Sequence, residues 1–113
     1  MIAYKVLNSD QRSAVASGEA SVYYGKNQWT LPKFNGRLFV FKRLKDAQDF
    51  RTKTQQVWRC EVPSLKRIKH IAPYFSVKEM MRFWDKETLE TVKKMDAPEG
   101  SYTAPKVKLL KEL

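Results

Sequence analysis

The sequence predicts a single α+β domain with a small mixed or antiparallel sheet, and three stretches carry this prediction. Residues 2–8 place bulky side chains at alternating positions, which is typical of a strand. Residues 38–41, LFVF, form an uninterrupted bulky run that suits a strand buried on both faces. Residues 76–95 have the period of an amphipathic helix. At 113 residues, the chain fits one domain spanning 1–113.

The segment 37–62 is predicted to organise the domain as strand, helix and strand. Leu44, Ala47 and Phe50 recur at helical spacing after the LFVF strand and predict a short helix over about 43–53. Alternation then returns at 57–62, where Trp58, Cys60 and Val62 share one side. Because such a unit leaves apolar faces uncovered, the flanking segments are expected to pack against it.

Turn residues and further alternation predict the remaining strands. Gly25-Lys26-Asn27 separates 20–24 from 28–31 and predicts a hairpin. The spacing of three in 65–71 fits either a bulged edge strand or a helical turn. Residues 97–100 have Pro and Gly where a type I turn favours them. A last strand is predicted where Val107 and Leu109 alternate with lysines.

The helix predicted at 76–95 has a clear start signal. Ser76 and Glu79 have capping-box spacing, and Phe75 with Met80 can form a hydrophobic staple. Its apolar stripe includes Trp84. Core packing is the favoured interpretation of this stripe, because methionine and tryptophan side chains commonly fill irregular gaps beneath a helix. A partner surface is the alternative for the aromatic and aliphatic residues outside the stripe.

The positive charge is concentrated in the middle of the chain. The net charge is +10, and residues 42–70 hold nine Lys or Arg against three Asp or Glu. This excess favours an anionic partner, either a nucleic acid or the acidic surface of a protein. The alternative interpretation is a solvated surface that keeps the protein soluble and protects a sheet edge.

The side chains needed for common catalytic and metal sites are sparse. One His and one Cys cannot supply a four-residue zinc site, and no phosphate-binding loop or dinucleotide fingerprint occurs. Cys60 is interpreted as a packed thiol in preference to a nucleophile paired with His70. We therefore expect no enzyme, no cofactor and no metal. The single cysteine favours the cytoplasm, and no apolar run predicts a membrane span.

Basic and aromatic side chains remain as candidates for partner binding. The cations can contact phosphates or an acidic protein, and the aromatic rings, with Trp29 among them, can stack on bases or anchor an interface. For each aromatic residue the alternative is the core, and for each cation it is a solvated surface. The candidate partner-binding residues are Arg43, Arg59, Lys66, Arg67, Lys69, Tyr23, Tyr24 and Tyr74.

Three motifs resemble a group of small proteins encoded by tailed bacteriophages. These are YKVLNSD at 4–10, LFVFKRLKDAQDF at 38–50 followed by VWRCEV at 57–62, and VKLLKEL at 107–113. Some members of the group look like distant relatives of ADP-ribosyltransferases, which bind nicotinamide dinucleotide (NAD) between two small sheets. That family implies a catalytic glutamate, and Glu61 is the available match, whereas Tyr4 and Lys5 stand where an Arg or His is expected and the Ser-Thr-Ser segment is missing.

The resemblance and the charge together predict a stoichiometric binding protein. We expect an accessory or inhibitor protein in the cytoplasm of a bacterial host, engaging a protein or ribonucleoprotein complex of the nucleic-acid machinery, as an anti-CRISPR factor does. Direct nucleic-acid binding and an NAD-dependent ADP-ribosyltransferase activity with Glu61 as its acid are the alternatives.

Overall fold

A computed structural model of the protein describes residues 1–14, 21–33, 36–68, 70–71 and 95–113. These residues form mostly strands. The elements are β1 (Ile2–Leu7), β2 (Trp29–Thr30), β3 (Leu38–Phe41), α1 (Leu44–Phe50), β4 (Gln56–Glu61), β5 (Lys66–Arg67), β6 (His70–Ile71), β7 (Met95–Asp96), β8 (Ser101–Ala104) and β9 (Val107–Glu112). Within this described part, no helix is long and apolar enough to cross a membrane.

Seven of the described strands form one sheet in the order β2-β9-β4-β1-β3-β8-β5. Every pair of neighbouring strands in it is antiparallel. β1 lies at the centre and pairs with β4 along its whole length, from Ile2 opposite Glu61 to Leu7 opposite Gln56. The predicted strand–helix–strand unit is therefore present, but β1 separates its two strands.

One face of the sheet covers the larger apolar cluster. Alternate residues of the central strands point into it, as Ala3 and Leu7 of β1 and Cys60 of β4 illustrate. Tyr24, which precedes β2, packs into the same cluster. The buried members are Ala3, Leu7, Tyr24, Leu38, Val40, Trp58, Cys60, Val62, Ala104, Val107 and Leu109. We call this side of the sheet the inner face.

The opposite side, the outer face, is partly covered by α1. Val6, Phe41 and Val57 pack against Ala47 of the helix, and the Phe41 and Phe50 rings lie 5.3 Å apart. The helical spacing of 44, 47 and 50 is confirmed, but the helix ends at Phe50 because Arg51 adopts extended backbone angles. It is thus shorter than the predicted 43–53.

The predicted hairpin across Gly25-Lys26-Asn27 is wrong. β2 pairs with β9, and the isolated bridges of this region join Tyr23 to Arg12 and Lys26 to Leu109. Asn27 has a positive φ of 61°, as expected of a turn, but its amide donates to the Leu109 carbonyl at 2.8 Å. The first arm therefore bonds to the segment 11–13 that follows β1, and the second arm bonds to β9, so the two arms do not pair with each other.

Residues 65–71 contain strands, which decides between the two predicted alternatives. β5 pairs with β8 at the edge of the described sheet, and β6 pairs with β7 in a separate two-stranded ladder. The helix predicted at 76–95 lies outside the described residues except at its last position, where Met95 belongs to β7. The predicted helix therefore does not extend to residue 95.

Candidate functional site

The structure describes six of the eight predicted partner-binding residues and does not bring all six together. Arg43, Arg59, Lys66, Arg67 and Tyr23 are exposed. Tyr24 is only 1% exposed and belongs to the core, so it is not available to a partner at the surface. This corrects its prediction as a contact residue. Lys69 and Tyr74 lie outside the described residues.

The basic segment 42–70 does not form one continuous surface. Arg59 is on β4 and Lys66 and Arg67 are on β5, with β1, β3 and β8 between those strands. At the usual strand spacing, four neighbouring steps across a sheet amount to about 19 Å. Arg43 and Arg67 instead line a cavity at the β5 end of the sheet. The predicted basic face is therefore two separate basic regions.

A row of exposed and half-buried side chains crosses the other end of the outer face. Trp29 lies opposite Lys108, and Glu61 lies opposite both Lys108 and Ile2. Residues that face each other across antiparallel strands point to the same side of the sheet. The row thus runs over β2, β9, β4 and β1. Its Trp29 side chain is 42% exposed, which leaves part of the indole open to solvent.

A β-bulge adds a further cation to this surface. Cys60 pairs with Leu109, whereas Arg59, one residue away, pairs with Lys111, two residues further along β9. Leu110 is therefore the extra residue, and it reverses the alternation of the strand. Without the bulge, Lys111 would point to the side opposite Lys108. With it, Lys111 lies beside Arg59 on the outer face.

Two lysines of this surface lie against the tryptophan. The Lys106 and Lys108 amines lie 4.5 Å and 5.8 Å from the centre of the Trp29 ring, within cation–π range. In the part of the chain that the structure describes, the three ion pairs join Arg12 to Asp10 and Arg43 to Asp46 and Glu99, and none of them involves this surface. We call it the Trp29 face; it consists of Trp29, Arg59, Glu61, Lys106, Lys108 and Lys111.

The three lysines of the Trp29 face are not among the binding residues predicted from the sequence. Residues 96–113 carry three basic and three acidic groups, so the net charge of the segment is zero and conceals them. Their alternation with Val107 and Leu109 was the available signal, because it puts Lys106 and Lys108 on one side of a strand. Lys111 gave no such signal, since its side depends on the bulge.

The side chains considered for catalysis occupy different environments. Cys60 is 0% exposed, and burial raises its pKa to about 12, so the thiol stays protonated and packed as predicted. Glu61, the acid of the ADP-ribosyltransferase alternative, lies on the open Trp29 face. Glu61 does not line either of the two main cavities among the described residues. The Trp29 face therefore offers flat stacking and cationic contacts in preference to an enclosed reaction site.

No group of three or more His, Cys, Asp or Glu residues that could hold a metal ion occurs among the described residues. Comparisons of the chain with protein-family models, with curated proteins and with solved structures find no match.

Proposed function

We propose that the protein is a stoichiometric binding protein whose Trp29 face binds a single strand of nucleic acid. The observation that carries the proposal is the open Trp29 indole with Lys106 and Lys108 against it. Aromatic rings on which bases stack, together with cations that follow the backbone, are the common means of binding single strands without sequence preference.

The arrangement of charges supports a strand as the partner. Lys108 and Lys111 lie on β9, Lys106 directly precedes it, and Arg59 lies on the neighbouring strand β4. Glu61 is the acidic residue among them. A strand that crosses the face can place a base on Trp29 and its phosphates near these cations. Four such contacts predict a log–log salt slope of about −2.8 for a single strand.

Such binding accounts for an accessory or inhibitory role. A protein that covers an exposed strand of a host nucleic-acid complex competes with whatever must pair with or act on that strand. We propose this competition as the inhibitor function that the phage resemblance implies. It requires no reaction and no cofactor.

Fluorescence anisotropy with short labelled single-stranded DNA and RNA tests this proposal. Loss of stacking in Trp29→Ala is expected to weaken binding by about 1–3 kcal/mol, or roughly 5- to 150-fold. Replacing Lys108 and Lys111 with Gln is expected to reduce the salt slope to about −1.4. The control replaces Lys45 and Lys53, which are exposed on α1 and on the turn after it, with Gln. This control changes the net charge equally.

Absence of oligonucleotide binding at low salt overturns the proposal. An equal loss of affinity in the Lys45/Lys53 control also overturns it, since binding would then follow net charge alone. If oligonucleotides do not bind, a variant in which Glu replaces Lys108 and Lys111 distinguishes a protein interface from a solvated surface. Slower association with an acidic protein partner would identify a protein interface, and unchanged binding would leave a solvated surface.

A further inference from the structure

A second basic region surrounds a cavity at the β5 end of the sheet. The cavity has a volume of about 530 Å³, which is within the usual range for small-molecule sites. Its walls come from the start of α1, from β5 and from the segment 97–102. The polar lining residues are Lys42, Arg43, Asp46, Arg67, Glu99, Ser101 and Tyr102.

One wall of this cavity is a tight turn held in place by hydrogen bonds. The Ser101 amide and hydroxyl both donate to the Pro98 carbonyl, at 3.1 Å and 2.6 Å. Gly100 has a φ of +77°, and a Cβ at this position would overlap the Asp46 carboxylate. The turn therefore begins at Pro98, one residue later than the sequence predicted, and glycine allows it to pack closely on the start of α1.

Arg43 forms ion pairs with the two carboxylates of the cavity. Its Nε lies 2.9 Å from Oδ2 of Asp46 and its Nη2 lies 3.4 Å from Oδ1, while Glu99 lies 4.0 Å away. The hydrogen bond and charge of Asp46 raise the pKa of Arg43, so the guanidinium remains charged. The Asp46 side chain is only 7% exposed, which makes it an internal counter-ion for Arg43 in preference to a ligand for a cation.

Two further cations of the lining have no such counter-ion among the described residues. Within the described residues, no carboxylate oxygen lies within 4.0 Å of Lys42 or Arg67. The Lys42 amine instead lies 5.8 Å from the centre of the half-buried Tyr102 ring. Arg67 lies opposite Tyr102 across the β5–β8 ladder. Lys42, which directly follows β3, and Arg67 of β5 therefore both lie next to Tyr102.

We propose that this cavity binds a small phosphate monoester, with the phosphate held by Lys42 and Arg67. Arginine suits the planar, multidentate recognition of phosphate oxygens, and lysine adds a point charge. The Tyr102 ring and Pro98 give the organic part of the ligand an apolar wall. The site is separate from the Trp29 face, which lies across the sheet on β2, β9 and β4.

Isothermal titration calorimetry with inorganic phosphate, adenosine monophosphate and adenosine tests the phosphate assignment. The monophosphate is expected to bind with one site per chain, inorganic phosphate more weakly, and adenosine not detectably. Arg67→Gln and Lys42→Gln are each expected to weaken monophosphate binding at least tenfold. Lys66→Gln is the matched control, because Lys66 is exposed on the same two-residue strand but does not line the cavity.

Three outcomes would overturn the proposal. It fails if adenosine binds as well as its monophosphate, if neither phosphate compound binds at millimolar concentration, or if Lys66→Gln weakens binding as much as Arg67→Gln. Circular dichroism of each variant verifies that it is folded, and Arg67→Gln alone decides the test if Lys42→Gln does not fold. Trp29→Ala is expected to leave the monophosphate affinity unchanged, so this site and the Trp29 face fail or succeed independently.

Discussion

Replacing Lys5 with Met is expected to change how the stability of the protein depends on pH. Lys5 points from the central strand β1 toward the inner face, where its side chain is 6% exposed. Its amine donates a hydrogen bond to the Phe39 carbonyl at 2.5 Å and lies 5.1 Å from the centre of the Tyr24 ring. Burial lowers its pKa from 10.5 to about 8, although the neighbouring Cys60 acts in the opposite direction.

The lowered pKa means that the charged amine destabilises the folded state. Below pH 8 both states are protonated and the cost is complete, at about 3 kcal/mol for a shift of this size. As the pH rises from 8 to 10.5, the folded state releases its proton while the unfolded state retains one, so the cost declines. Between pH 7 and 9 the free energy of unfolding should therefore rise by about 1 kcal/mol from Lys5 alone.

The Met variant removes this titration while keeping a side chain of similar length. At pH 7 its net gain in stability is smaller than the full cost of the charge, because the hydrogen bond to Phe39 is lost with it, worth about 1.5–3 kcal/mol. The difference in pH dependence is the more direct measurement. The rise between pH 7 and 9 should be present in the original protein and absent in Lys5→Met.

Urea unfolding followed by circular dichroism at pH 7, 8 and 9 measures this difference. The range stops at pH 9 because Cys60 has the opposite effect on stability at higher pH. Burial raises its pKa to about 12 in the folded state, so above the pKa of a free thiol only the unfolded state loses the proton and the folded state is destabilised. Lys45→Met, on the exposed side of α1, is the control and should keep the rise. If Lys5→Met shows the same pH dependence as the original protein, the buried-amine explanation is refuted.

Two further predictions concern the turn at 98–101 and the buried thiol. Gly100→Ala should destabilise the protein by about 1–3 kcal/mol in thermal unfolding, because alanine at a positive φ is strained and its Cβ displaces Asp46. Gly25→Ala is the control, since the atom nearest to its Cβ is the flexible end of the Gln28 side chain. An equal loss of stability in both variants would contradict this explanation. Cys60 should react with Ellman's reagent at pH 8 only as the protein unfolds, and prompt reaction of the folded protein would show that the thiol is accessible.

Local patterns were sufficient to predict four of the nine described strands. Alternation identified β1, β4 and β9, and the bulky run LFVF identified β3, since each pattern records which side of a segment is buried. The prediction that Trp58, Cys60 and Val62 share a buried side is confirmed for the same reason. The helical spacing of 44, 47 and 50 likewise identified α1, although not the residue where it ends.

The partners of these strands could not be obtained in the same way. The turn residues at 25–27 suggested that their neighbours pair with each other, yet β2 pairs with β9 at the other end of the chain. The entropy of closing a loop rises only slowly with its length, so a distant strand with a better buried face can outcompete a near one. Pairing is thus decided by the complete set of apolar faces.

The sequence by itself determined the positive charge of the protein, the positions of β1, β3, β4 and β9, and the buried side of β4. Only the tertiary structure decided which cations lie together. It separated Arg59 from Arg67 by placing β1, β3 and β8 between their strands, and it joined Lys111 to Arg59 through the bulge at Leu110. Strand order and register arise from long-range pairing, and a one-residue change in register moves a side chain to the opposite face.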